Sequence, residues 1–181
     1  MVGRARVLTR ANGPPDVRIM LVGEAPGRRG AERTLVPFAG DESGRRLDTL
    51  IQAAGWTRDE LFITNAVLCN PQQANGNNRP PSTAEIIACS VWLERQIEII
   101  NPTLVVALGA VALRSLGTLA MHNLTVRNAG ESPVRWNDRW LAAAYHPGAR
   151  AAIHRPVPRQ MTDFRSLGAW LRANAGSDVP R

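Results

Sequence analysis

Val17-Arg18-Ile19-Met20-Leu21-Val22-Gly23-Glu24-Ala25-Pro26-Gly27 is the stretch that decides the fold. Residues 17–25 are short, rich in apolar and β-branched side chains and nearly continuous in apolarity. That pattern suits a strand buried on both faces, as in a parallel sheet. The glycines and proline that follow predict a turn at its carboxyl end. Working outward, three more segments of the same kind occur at 61–69, 104–109 and 140–145. Helical patterns lie between them. Leu47, Leu50, Ile51 and Ala54 share one helical face. Ser82 and Glu85 form a capping-box sequence ahead of Ile86, Leu93, Ile97 and Ile100, and Asn101-Pro102 ends that helix. Residues 110–116 predict a short helix. Residues 160–174 predict a closing one, with Phe164, Leu167 and Leu171 on one face. Alternating strands and helices imply an α/β fold. The expectation is a three-layer α/β/α sandwich around a four-stranded parallel sheet, as one domain over residues 1–181. Residues 70–81 and 147–158 read as loops, and 176–181 as a frayed tail.

The charge narrows the partner. A net charge of +7 and a pI near 11.2 suit an anionic surface, and nucleic acid is the commonest one. All 22 of the Lys-plus-Arg positions are arginine. No lysine side chain is present to form a Schiff base, the usual route to strand nicking. No apolar run approaches a membrane span, and residues 1–15 lack the apolar core of a secretory signal. The expected setting is soluble, intracellular and cytoplasmic. Cys69 and Cys89 are too few for a disulfide framework or a four-thiolate site.

In a parallel α/β sheet, ligands bind beyond the carboxyl ends of the strands. Three such ends are chemically loaded: Gly23-Glu24-Ala25-Pro26-Gly27, Thr64-Asn65 and Tyr145-His146-Pro147-Gly148. Neither Gly-x-Gly-x-x-Gly nor the Gly-Lys-Ser/Thr phosphate loop occurs, which disfavours a nucleotide cofactor.

With Pro37-Phe38-Ala39-Gly40 added, these motifs make the chain resemble the uracil-DNA glycosylase superfamily from about residue 18 to residue 165. Glu24 in its motif resembles the fourth, iron–sulfur branch. Residues 30–44, with Asp41, resemble the fifth. Cys69 and Cys89 match two cluster ligands of the fourth branch, but the pair expected near the N-terminus is missing. No cluster, metal or cofactor is therefore expected.

The resemblance implies roles. Glycosidic cleavage needs a base held out of the stack, a donor for the charge developing on the departing base, and a placed water. Phe38 would stack on the flipped base. Asn65 would read the O4 and N3–H edge of uracil through one amide, which offers a donor and an acceptor. His146 would donate to O2 of the departing anion. Glu24 and Asp41 compete to handle the water, and Asp41 could equally be a helix cap. Gly23, Ala25, Pro26 and Gly27 would line the substrate. The best-known branch has Asp where Ala25 stands and Tyr where Gly27 stands. The usual thymine guard is thus absent, and a wider base range stays open. Gly148 replaces the usual Ser, which either removes a hydroxyl that supports DNA or frees a backbone N–H for a phosphate. The following loop would enter the duplex, with Arg150 and Ile153 as wedges and His154 and Arg155 on phosphates. The activity implied is monofunctional excision of uracil from single- or double-stranded DNA by a monomer. The alternatives are excision of hypoxanthine or xanthine, and a damage or abasic-site binder without catalysis.

Overall fold

A computed structural model describes residues 4–174. The tail at 176–181 lies outside the described residues. The strands are β1 (Ile19–Gly23), β2 (Leu61–Asn65), β3 (Leu104–Leu108), β4 (Val134–Trp136) and β5 (Arg139–Ala144). The helices are α1 (Ala31–Thr34), α2 (Glu42–Ala54), α3 (Thr83–Ile100), α4 (Ala110–Gly117), α5 (Ala149–His154) and α6 (Val157–Ala173).

The sheet has five strands in the order β2-β1-β3-β5-β4, and all neighbours pair in parallel except β4 with β5. The four expected strands are present, but the sheet is mixed rather than purely parallel. The fifth strand joins β5 through Asn137 and Asp138, both in the left-handed region at φ +45° and +61°. Such a two-residue turn matches the right-handed twist of a hairpin.

Strand residues alternate between two apolar layers. Ile19, Leu21, Ile63 and Val106 pack with Leu47, Leu50 and Ile51 of α2 and with Phe164 and Leu167 of α6. Met20, Val22, Phe62 and Val105 pack on the other face with Leu93 and Ile97 of α3 and with Leu113 and Leu116 of α4. Helices cover both faces, which is why these strands carry almost no polar residue before their ends. Gly168 lets α6 approach α2: a Cβ there would lie 2.0 Å from the Ala54 carbonyl oxygen.

Both sheet edges are managed. At β2, Asn12 Nδ2 donates to the Ile63 carbonyl at 2.7 Å, and Gly13 lies so close that a Cβ would meet the Leu61 oxygen at 2.0 Å. At the far edge β4 is three residues long, and Arg135 rests on the Trp140 ring at 4.5 Å. No helix among the described residues is long and apolar enough to cross a membrane.

A candidate active site at the strand ends

A cavity of about 200 Å³ lies beyond the carboxyl ends of β1 and β2 and beside the segment after β5. Pockets that enclose a whole ligand usually span roughly 300–1,000 Å³. This one suits one planar base rather than a whole nucleotide.

Phe38 forms one wall. Its φ of +49° is a left-handed conformation that costs a bulky residue about 1–3 kcal/mol and persists only where its surroundings impose it. Those surroundings are visible. Arg58 donates from one terminal nitrogen to the Pro37 carbonyl at 3.1 Å and from the other to the Phe38 carbonyl at 2.7 Å. Gly44 packs beneath, where a Cβ would stand 2.2 Å from the Phe38 oxygen. The ring ends 8% exposed, 5.8 Å from the His146 ring and tilted 42° to it.

Asn65 is the last residue of β2 and 2% exposed, and its Oδ1 is buried with no hydrogen-bond partner. A buried amide oxygen left unmatched is costly unless a ligand or water meets it. Gly23, opposite on β1, makes room for it. A Cβ at residue 23 would lie 2.5 Å from both Asn65 Oδ1 and Phe38 Cζ.

His146 follows β5. Its Nδ1 accepts the Gly148 backbone N–H at 2.9 Å, which leaves the proton of a neutral imidazole on Nε2. Burial lowers its pKa from 6.5, and the nearby Asp41 carboxylate opposes that shift. The neutral donor form is therefore favoured near pH 7. One expectation is corrected here: the Gly148 N–H is not free for a phosphate, because it fixes the imidazole tautomer.

The two carboxylates differ. Asp41 caps α2, its Oδ1 accepting the Gly44 N–H at 2.9 Å. Its Oδ2 faces the turn at Gly27 and Gly30, where added Cβ atoms would meet it at 3.2 and 2.4 Å. Glu24 is half-buried in the cavity wall beside Ala25, Pro26 and Gly27. Burial raises its pKa above 4.5, while Arg114 and Arg150 pull it back.

Beyond Glu24 and His146 a second cleft of about 470 Å³ includes Arg150 and His154. The expected loop after His146 is helical instead, as α5 and the start of α6. Ala149, Ala151 and Ala152 allow that turn, a signal the prolines around it obscure. Ile153 projects from α5 at 79% exposure. Arg155 is committed inward: it pairs with the buried Asp163, donates to the Ala129 carbonyl at 2.9 Å and lies over Tyr145 at 5.7 Å. Its phosphate role is replaced by a structural one.

Asn70, Asn78 and Arg79 also line the cavity, and sequence reasoning missed them in an aperiodic loop. Asn70 donates to Glu32 at 2.9 Å and to Asn78 at 3.0 Å. Arg79 forms a double hydrogen bond with Glu85, each at 2.7 Å. The Ser82–Glu85 capping box was legible, but not the arginine it holds.

Cys69 and Cys89 are free and half-buried, and each lies within electrostatic reach of the other. No group of three or more His, Cys, Asp or Glu among the described residues is arranged to hold a metal. Near Cys69, Val7 is buried and its N–H donates to the Leu68 carbonyl, and Arg6 lies 5.9 Å over the Trp92 ring. This donor set does not fit a four-thiolate cluster.

Comparison with known proteins identifies the family. The family model described as "Uracil DNA glycosylase superfamily" matches residues 11–167. The chain is 36% identical over 163 residues to a type-4 uracil-DNA glycosylase of Sulfurisphaera tokodaii, covering 86% of this chain and 70% of the relative. It is 33% identical over 172 residues to the type-4 enzyme of Archaeoglobus fulgidus, covering 88% and 82%. A type-5 uracil-DNA glycosylase of Thermus thermophilus is 35% identical over 152 residues, covering 74% and 66%.

Proposed function

Since this chain belongs to the uracil DNA glycosylase superfamily, we propose that its strand-end cavity holds a uracil flipped out of DNA and releases it by hydrolysis. The protein is a DNA-repair glycosylase acting on N-glycosidic bonds. The observation that carries the site assignment is the Gly148 N–H to His146 Nδ1 bond, since it presents an Nε2–H donor beside the unpartnered Asn65 amide and the Phe38 face.

The steps follow from these groups. Phe38 takes one face of the flipped base. Asn65 accepts N3–H and donates to O4, so cytosine, with the reversed pattern, leaves buried polar groups unpaired. As the C1′–N1 bond breaks, charge gathers on the base, and His146 Nε2–H donates to O2. Water adds to C1′, and Glu24 takes its proton. Glu24 suits this role because burial raises its basicity, whereas one oxygen of Asp41 is held by the helix cap. The remaining oxygen of Asp41 supports the cationic sugar. The products are uracil and an abasic site. Every group invoked comes from one chain, so a monomer suffices, and no step calls on a cofactor. Arg150, Ile153 and His154 face the duplex.

A second reading rests on Gly27. A Cβ there would meet Asp41 Oδ2 at 3.2 Å and Asn78 Nδ2 at 3.9 Å, and residue 27 itself places no side chain on that wall. Larger deaminated bases such as hypoxanthine or xanthine are then candidates.

Single-turnover excision from uracil oligonucleotides, single- and double-stranded, tests the assignment by alkali cleavage of the product. Asn65→Ala and His146→Ala should each slow excision by at least about tenfold, the loss of one transition-state donor or reader, with the fold intact. Parent-like rates in both variants would remove the assignment. Release of hypoxanthine but not uracil would favour the second reading.

A further inference from the structure

Arg58 lies outside the cavity, yet it touches the backbone that aims one wall of it. It opens the short 3-10 turn Arg58–Glu60, which leads directly into β2 and so to Asn65. Its Nε donates to Asp48 Oδ1 on α2 at 2.7 Å, and its two terminal nitrogens take the carbonyls of Pro37 and Phe38. One planar guanidinium thereby joins three parts: the strand that carries Asn65, the helix capped by Asp41, and the turn that carries Phe38. Only arginine presents donors in a fixed fork able to do this; an ammonium makes point contacts.

We infer that Arg58 is a positioning residue that sets the Phe38 ring against Asn65, and that it acts on excision through Phe38 alone. This rests on the base-binding reading of Phe38 given above. Two features argue against simple surface pairing. One of the two carbonyls it binds belongs to Phe38, a residue in a left-handed conformation, and the other to Pro37 just before it, so releasing them frees Phe38 to relax away from φ +49°. Retreat toward Gly44 is blocked by the close approach of that glycine to the Phe38 carbonyl. Without Arg58 the turn swings outward and the ring loses its set angle.

The test is a double-mutant cycle on single-turnover excision, joined to a probe of the ring itself. Arg58→Ala should slow excision about tenfold or more, since small misplacement of a positioned group is costly in rate. In a Phe38→Ala background the same change should alter the rate less than twofold. Arg58→Lys should recover part of the loss. Equal factors in both backgrounds would overturn the inference. Protein labelled with 4-fluorophenylalanine carries 3 such rings. The Phe38 fluorine resonance, assigned by its loss in Phe38→Tyr, should move or broaden in Arg58→Ala and partly return in Arg58→Lys. An unchanged resonance in Arg58→Ala would also overturn it. If the parent is inert on uracil DNA while the resonance responds, the function fails and the clamp stands. Should Arg58→Ala not fold, the Lys variant runs both measurements.

Discussion

Gly23→Ala adds one methyl group where the Asn65 and Phe38 side chains already stand. The new Cβ would sit 2.5 Å from Asn65 Oδ1, 2.5 Å from Phe38 Cζ and 2.6 Å from Phe38 Cε2. Comfortable carbon contacts lie near 3.5–4.0 Å, so the neighbours must yield by roughly 1 Å. The Phe38 backbone is held by Arg58 and Gly44, which leaves the Asn65 amide as the softer group. Turning it would break the two hydrogen bonds proposed to the base edge, each worth about 0.5–1.5 kcal/mol, and leave a buried polar group unmet at about 1–3 kcal/mol. Together these amount to about 2–6 kcal/mol in the transition state and slow excision roughly 30-fold to 10⁴-fold. Overpacking should also lower stability by about 1–3 kcal/mol. The assay is single-turnover release of uracil at saturating enzyme, with a thermal melt alongside. Gly117→Ala is the control, since its Cβ would meet only His122 Nε2 at 3.6 Å. Excision by Gly23→Ala within threefold of the parent would refute the packing of Asn65 and Phe38 over this glycine.

Excision should fall on the acid side. In the proposed roles, His146, with its pKa lowered below 6.5, is the donor in its neutral form, and Glu24, raised above 4.5, accepts a proton only when ionised. The rate therefore rises with pH through both values and then levels; Glu24→Gln should lower the plateau and make the acid limb shallower, and an unchanged limb would count against Glu24. Arg150→Ala should reduce the salt dependence of DNA binding by about one phosphate contact. Arg155→Ala should leave that slope unchanged and instead lower the melting temperature, because it strands the buried Asp163. Glu85 is held down to about 2 from 4.5, first by its hydrogen bond to Arg79. Its contribution is complete above its ordinary value and is lost as pH falls through about 2; after allowance for solvent screening, Glu85→Gln should cost about 1 kcal/mol in denaturant titrations at neutral pH.

The core was legible because both faces of β1, β2, β3 and β5 are buried, which writes unbroken apolar runs into the chain. β4 was not legible. It is three residues long, its Val134 and Arg135 face solvent, and Asn137-Asp138 is a weaker hairpin signal than Asn-Gly. Phe38, Asn65 and His146 could be named because each stands in a short motif at a strand end or turn. Arg58 and Asn70 could not. Their partners lie 20 and 38 residues away in Phe38 and Glu32, and pairing across such distances leaves no local pattern. Arg155 misled in another way: its partner Asp163 is only 8 residues on, but a lone arginine in a basic stretch looks solvated until α6 folds Asp163 against it.

The guarded sheet edges matter for where such a protein works. A chain with a pI near 11.2 gathers along a polyanion, so its local concentration there far exceeds that in bulk. An open strand would then template chain-to-chain pairing. Asn12 blocks one end of the sheet, and only three residues of β4 terminate the other. Crowding on DNA thus finds little free backbone at either sheet edge for chain-to-chain pairing.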